Sequence, residues 1–218
     1  MTPTASTASV AHDLWAASSD IAGACLDHPF VRGIASGDLA RDTFVTYVGQ
    51  DAIFLESFAR AYAFCIAKAP DRAAMESFRA LLDGVFDELR LHGSYAEQWG
   101  APLNPPPLPS TSAYTEFLLE VATDEEAVAA CAAMTPCMRL YAWLGQQLAP
   151  VTAPGSPYKE WVDTYSSPDF EELASTLEAL LDRLVRSSNG DAGAGDVAAH
   201  YRRAMELELA FFEGAYRS

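Results

Sequence analysis

The sequence predicts an all-α protein, and three observations support this prediction. Apolar residues recur at helical spacing over most of the 218 residues. No segment alternates apolar and polar residues as a half-buried strand does, and no hairpin signal occurs. Half of the residues are hydrophobic and 20% are charged, a composition typical of globular domains. We therefore expect a single-domain helical bundle spanning residues 1–218, with residues 1–10 flexible.

Helix boundaries follow from the capping residues and the helix breakers. Asp42 or Thr43 can cap a helix that runs to about Ala67, and a second helix follows Pro70 and ends near Trp99. Five prolines within residues 100–111 predict a rigid, extended connection. The remaining helices are expected over residues 112–122, 125–148, 157–165, 169–186 and 196–215, giving seven or eight in all, and the glycine-rich segment 187–195 is expected to be a flexible loop.

Charge and cysteine usage restrict the partners and the compartment. Thirty acidic and 14 basic residues give a formal charge of −16, which repels nucleic acid and anionic lipid and favours a neutral or cationic ligand. No run reaches the roughly 18–20 uninterrupted apolar residues of a membrane span, and residues 1–10 do not look like a secretory signal. The four cysteines lack CxxC spacing. We expect reduced thiols, a cytoplasmic protein, and neither a nucleic-acid nor a membrane partner.

Two candidate site residues are Asp51 and Cys137. Asp51 follows Tyr47 by one helical turn and precedes Leu55 by one turn, on a stripe that should face the core. It is either a functional carboxylate or an ordinary buried acid with a polar partner. Cys137 follows Pro136, where a kink or a new helix start would lower the thiol pKa. The alternative is that Cys137 is a small buried apolar residue, as we expect for Cys25, Cys65 and Cys131. Tyr141 lies one turn after Cys137, on the same face.

The last predicted helix supplies a second acid. Glu208 precedes Phe211 and Phe212 by three and four positions, so it shares their apolar face. A carboxyl group in such surroundings has a raised pKa, which suits a proton donor. Glu206 and Glu213 are interpreted as a solvated acidic face.

One acid–histidine pair has the spacing of metal ligands. Glu88 and His92 are spaced i, i+4, as in the ligand pairs of carboxylate-bridged di-iron bundles. The nearest second set is His200 with Glu206, whose spacing does not place both on one face. Packing between helices is the preferred interpretation of Glu88 and His92.

Four segments together resemble the TenA/thiaminase II family. HPFVRGIASGDL (28–39) followed by FVTYVGQDAIFL (44–55) is similar to the family's N-terminal signature. TPCMRLYAWLG (135–145), YKEWVDTY (158–165) and ELAFFEGAY (208–216) resemble its later segments, in the family's order.

The resemblance implies a heme-oxygenase-like fold and hydrolysis of 4-amino-5-aminomethyl-2-methylpyrimidine, or of thiamin or the N-formyl aminopyrimidine, to hydroxymethylpyrimidine in thiamin salvage. It implies no metal or bound cofactor, and a homotetramer or dimer. By the same resemblance, Cys137 would be the nucleophile, Glu208 the acid and base, and Asp51 the residue that binds the aminopyrimidine edge. The substrate pocket would include Phe54, where many relatives carry Tyr, Phe212, where Trp is more usual, and Tyr114, Tyr141 and Tyr165.

Three functional hypotheses remain from the sequence. The first is the aminopyrimidine hydrolase. The second is a di-iron oxidase on the same scaffold, using Glu88 and His92. The third is a regulatory protein or a non-catalytic pyrimidine-binding protein, for which DNA contact is disfavoured because there are no Lys/Arg clusters and the net charge is −16.

Overall fold

A computed structural model describes residues 9–102, 104–188 and 194–218. In these ranges every regular element is an α-helix, as predicted. The helices, in chain order, are α1 (Val10–Ala17), α2 (Ser19–Asp27), α3 (Pro29–Ser36), α4 (Arg41–Lys68), α5 (Arg72–Trp99), α6 (Pro109–Asp124), α7 (Ala127–Leu148), α8 (Lys159–Tyr165), α9 (Pro168–Ser187) and α10 (Ala194–Arg217).

The seven helices from α4 onward agree with the predicted ones to within about three residues at each end. The prediction of seven or eight helices was wrong, because the described residues contain three further short helices before α4. Their capping signals are weak. Ser9 caps α1 by accepting a hydrogen bond from the His12 amide, and serine is the only common N-cap residue type among these three caps. Helix α3 is capped instead by the His28 ring. Residues 1–8 and 189–193, where flexibility was expected, lie outside the described residues.

Helix α7 is the central helix of the bundle. It packs against α9, α10, α8 and α6, and most of its residues are buried. By length and composition α7 could cross a membrane, but 83% of its most apolar window is buried inside the protein. Its apolar character is therefore explained by its position in the core.

Pro136 lies inside α7, and the helix continues through it. Proline removes one backbone donor, so a break was a reasonable expectation. The Thr135 hydroxyl donates to the Cys131 carbonyl at 2.7 Å, which satisfies one acceptor in the turn before the proline. The predicted kink or helix start at Cys137 was therefore wrong, and Cys137 belongs to the helix interior.

The proline-rich connection is held against α4 by one side chain. The Gln50 amide nitrogen donates to the Pro106 carbonyl at 3.1 Å. Its oxygen accepts from the Leu108 amide at 2.8 Å and from the Thr111 hydroxyl at 2.7 Å. A Cβ atom at Gly49 would stand 2.9 Å from the Pro102 carbonyl oxygen, so glycine allows this close approach.

The position of α7 is further fixed by an ion-pair cluster and by a close contact with α8. Arg139, whose side chain is only 13% exposed, bonds Glu171 and Glu178 of α9 at 2.9 and 2.6 Å. At Gly145 a Cβ atom would stand 2.4 Å from the backbone carbon of Tyr165. Helix α8 can therefore lie this close to α7 only because residue 145 has no side chain.

We predict that Gly145→Ala destabilises the protein by about 2–3 kcal/mol, because a methyl group would push the α8 backbone away from α7. Gly23→Ala is the matched control, since Gly23 also lies in a helix but its Cβ would meet nothing within 4 Å. The control should change stability by less than about 1 kcal/mol, and in the stabilising direction. Urea unfolding of both variants checks this, and equal effects would contradict the packing argument.

Candidate active site

A narrow pocket with a free volume of about 10 Å³ lies between α4, α5, α7, α8 and the start of α9. Five of the predicted site residues line it, namely Asp51, Phe54, Cys137, Tyr141 and Tyr165. The other lining residues are Leu55, Phe58, Glu88, Met138 and Phe170. The aromatic walls and the carboxylates suit a heteroaromatic ring with polar substituents, but the free volume is about that of one water molecule, so a ring enters only when the lining side chains move.

Glu208 and Tyr114 meet at Cys137. The Glu208 carboxyl is 1% exposed and accepts a 2.7 Å hydrogen bond from the Tyr114 hydroxyl, which is equally buried. A hydrogen-bonding interaction with the Cys137 thiol affects the pKa of both Glu208 and Cys137. The structure thus brings the predicted thiol and the predicted acid together, although 71 residues separate them.

Burial is the main reason why the pKa of Glu208 rises from 4.5 to about 8. The hydrogen bond from Tyr114 opposes the rise, the nearby charge of Asp51 adds to it, and the interaction with Cys137 opposes it. A raised pKa was expected from the aromatic neighbours in the sequence. A carboxyl group with a pKa near 8 can both accept and donate a proton at neutral pH.

The thiol pKa of Cys137 is raised well above its ordinary value, mainly by burial and then by the charges of Glu208, Glu88 and Asp51. The expectation of a lowered pKa was wrong, because no helix N-terminus lies at Cys137 and three carboxyl groups surround the thiol. Its partial exposure arises from its position on the pocket wall. The resting sulfur therefore carries its proton and needs a base to become nucleophilic.

Asp51 is 4% exposed, on the α4 face predicted from the sequence. It stands in the pocket wall, near enough to raise the pKa of Tyr47, Tyr141 and Tyr165 by its charge. A carboxylate at this depth can accept hydrogen bonds from a ligand that presents amino and ring N–H groups.

Three hydrogen bonds orient the pocket tyrosines. The Trp161 indole N–H donates to the Tyr47 hydroxyl at 3.2 Å, and Tyr47 donates to Tyr141 at 3.3 Å. The Tyr165 hydroxyl donates to a Glu88 carboxylate oxygen at 2.8 Å. Sequence analysis did not assign Tyr47, Trp161 or Glu88 to the site. The available signal was spacing, since Tyr47 and Trp161 each precede a site residue by one turn.

The two phenylalanines have different positions. Phe54 lines the pocket and contacts Tyr114, with ring centroids 4.7 Å apart. Phe212 is fully buried and packs on Phe30 and Tyr141, with centroids 5.5 and 5.8 Å apart. Phe212 was expected in the substrate pocket; it is instead fully buried in contact with Tyr141 and is not among the residues that line the pocket.

The remaining acids and histidines are placed as follows. Glu206 is exposed, as predicted, whereas Glu213 bonds the buried His28 ring at 2.8 Å and pairs with Arg217. His200 bonds Glu125 at 2.9 Å, so it does not pair with Glu206 in a second metal-ligand set. The His92 side chain lies outside the described residues.

Two observations concern thiols and metals. All four cysteines are free, as expected, and Cys25, Cys65 and Cys131 are fully buried. In the part of the chain that the structure describes, no group of three or more His, Cys, Asp or Glu side chains could hold a metal ion. Glu88, expected to pack between helices, accepts a hydrogen bond from Tyr165 of α8 and also lines the pocket.

Comparison with known proteins identifies the family of this chain. The chain matches the TENA/THI-4/PQQC family over residues 15–218. The chain belongs to this family. Its fold is therefore the helical, heme-oxygenase-like fold of TenA proteins, as the resemblance implied.

Three TenA-type relatives illustrate the match. The thiamine biosynthesis multifunctional protein ThiED of Corynebacterium efficiens is 37% identical over 94% of the chain, but the chain spans only 28% of its length. The aminopyrimidine aminohydrolase of Halalkalibacterium halodurans is 31% identical, and the match covers 95% of this chain and 96% of that protein. A solved structure described as a TenA family transcription regulator, from Silicibacter sp. TM1040, has a TM-score of 0.90 at 25% identity and covers 96% of this chain and 97% of that one.

The buried Glu208 carboxyl makes stability depend on pH. Because its folded pKa of about 8 lies above the ordinary 4.5, its contribution is fully present below about pH 4.5 and is lost as pH rises through 8. We predict that the wild type loses about 3 kcal/mol from this group between pH 5.5 and 8.5. Glu208→Gln should remove that loss.

Urea unfolding at both pH values measures the effect. Glu206→Gln is the control, because Glu206 is exposed on the same helix and should leave the pH dependence unchanged. Parallel pH profiles for the wild type and Glu208→Gln would show that the Glu208 pKa is not raised.

Proposed function

We propose that this protein hydrolyses a pyrimidine carrying an aminomethyl arm, releasing ammonia and the hydroxymethyl compound. The proposal is supported by Asp51 and Cys137, which line one aromatic pocket, and by Glu208, which lies outside that lining but interacts with the Cys137 thiol. The family membership and the aminohydrolase names of relatives similar over most of the chain support the same reaction.

In the proposed complex, the polar and the apolar residues of the pocket would contact different parts of the substrate. Asp51 accepts a hydrogen bond from the amino group, and it accepts a second one from the adjacent ring nitrogen when that nitrogen is protonated. Phe54, Tyr141 and Tyr165 contact the faces and edges of the ring. The aromatic walls exclude water from the reacting carbon, which strengthens each electrostatic contact in the pocket.

The first step forms a bond between Cys137 and the ring. The sulfur lone pair attacks an electrophilic ring carbon while the Glu208 carboxylate takes the thiol proton. Proton transfer is feasible because burial raises the pKa of Glu208 toward that of the thiol. The ring electrons of the adduct then expel the amine, and Glu208 returns the proton to the departing nitrogen, so that ammonia leaves.

The second half restores the enzyme. Water adds to the exocyclic carbon and gives one proton to Glu208. The carbon–sulfur bond then breaks, sulfur leaves with the bonding electron pair, and Glu208 protonates it. The net reaction consumes one water and releases one ammonia for each alcohol formed, with Cys137 and Glu208 unchanged.

The substrate within the pyrimidine class is also a proposal. We favour 4-amino-5-aminomethyl-2-methylpyrimidine over thiamin and the N-formyl aminopyrimidine, because the pocket is narrow and a larger ligand would displace more of its lining. The role belongs to thiamin salvage, by analogy with the names of the relatives.

The oligomeric state and the cellular location of the protein are also part of the proposal. We infer a cytoplasmic homotetramer or dimer from the family resemblance. Phe64 of α4 and Met75 and Phe86 of α5 are large apolar side chains that are at least 40% exposed, and burying them would favour self-association.

We predict that Cys137→Ser lowers kcat for ammonia release by about a thousandfold or more, because a hydroxyl group is a far weaker nucleophile for this addition. Glu208→Gln should have a similar effect, since it removes the proton acceptor. The measurement is coupled ammonia release from the aminomethylpyrimidine.

Cys131→Ser is the matched control. It is the same substitution on the same helix, but its sulfur lies in the core beside the Leu177 carbonyl, 4.0 Å away. The control should keep kcat within a few-fold of the wild type. Full activity in Cys137→Ser would remove the proposed mechanism, and no activity in the wild type would remove the proposed function.

A further inference from the structure

Glu88 separates the narrow pocket from a second, larger hollow. The outer hollow has a free volume of about 280 Å³ between α5, α8 and α9. Glu88, Met138 and Phe170 line both spaces, so they form the boundary between the outer hollow and Cys137. Glu88 is partly exposed, unlike the buried Glu208. A substrate entering from the outer hollow must pass the Glu88 carboxylate.

Two carboxyl groups from different helices act on the Cys137 thiol. After Glu208, Glu88 exerts the largest charge effect on the Cys137 thiol. Glu208 reaches the thiol from α10, whereas Glu88 lines the pocket from α5. A ring bonded to the sulfur would therefore carry its arm near two carboxyl groups. The proposed mechanism uses only one of them.

The hydrogen bond from Tyr165 determines that the Glu88 carboxylate is a hydrogen-bond acceptor. Tyr165 donates its proton to one oxygen of Glu88, so that carboxylate acts as an acceptor. No Lys or Arg lines either hollow within the described residues. The neighbouring Arg90 pairs with Asp87, whose side chain lines the outer hollow only. The boundary therefore offers hydrogen-bond acceptors and negative charge to an incoming arm.

We propose that Glu88 is a specificity-determining residue that selects pyrimidines whose arm ends in a primary amine over those whose amine is acylated. The inference rests on the proposed function. A primary amine, neutral or protonated, can turn an N–H toward Glu88 and keep its reacting side toward Glu208. An N-formyl arm keeps only one N–H and adds a carbonyl oxygen, so a pose that turns this oxygen toward Glu88 places two acceptors together, and these repel each other.

The test is a binding comparison that needs no turnover. In the Cys137→Ser background, calorimetry measures Kd for the aminomethylpyrimidine and for its N-formyl derivative, with and without Glu88→Gln. Glutamine keeps an oxygen that can accept from Tyr165 and adds an N–H that can donate to a formyl oxygen. We expect Glu88→Gln to weaken amine binding about tenfold and to leave N-formyl binding equal or stronger.

Asp83→Asn is the matched control, because it removes the same charge from an exposed position of α5 outside both hollows. It should change neither Kd. Equal weakening of both ligands by Glu88→Gln, or no change in either, would overturn the role of Glu88 and leave the proposed function intact. Absence of binding by either ligand, together with no ammonia release by the unmodified protein, would overturn both proposals.

Discussion

The proton shared between Cys137 and Glu208 is the interaction on which the proposed chemistry depends. Both groups are surrounded by protein, and burial raises the pKa of each. Because the pKa of Glu208 rises to about 8, its carboxylate is a stronger base toward the thiol than it would be at the ordinary pKa of 4.5. Tyr114 limits the rise for Glu208 by donating to it. Reactivity is thus set by burial, without a helix dipole or a neighbouring cation.

The rest of the bundle positions this pair. Helix α7 carries Cys137 and Tyr141, and the Arg139 cluster and the close contact at Gly145 fix it against α9 and α8. On α4, Gly49 and Gln50 hold the proline-rich connection, while Asp51, the next residue, stands in the pocket wall. Adjacent residues of α4 therefore hold the proline-rich connection in place and line the pocket.

Much of the fold and part of the site could be predicted from the sequence. Helical periodicity located α4 to α10, and polar residues among apolar ones identified Asp51 and Glu208. The short helices α1 to α3 were missed because they lack long periodic stretches and strong caps. Phe212 was assigned to the pocket because a resemblance gives the order of residues in the sequence but not the distances between them in the fold. The direction of the thiol pKa shift was predicted wrongly because the charges on α4, α5 and α10 come together only in the folded chain.

The crystal structure of Cys137→Ser soaked with the aminomethylpyrimidine would test the central claim most directly. The account predicts one ring in the pocket, its amino edge on Asp51, its arm between Glu208 and Glu88, and the serine oxygen facing a ring carbon. A ring bound elsewhere, or one in the pocket with its arm pointing away from Glu208 and its carbons out of reach of residue 137, would contradict it.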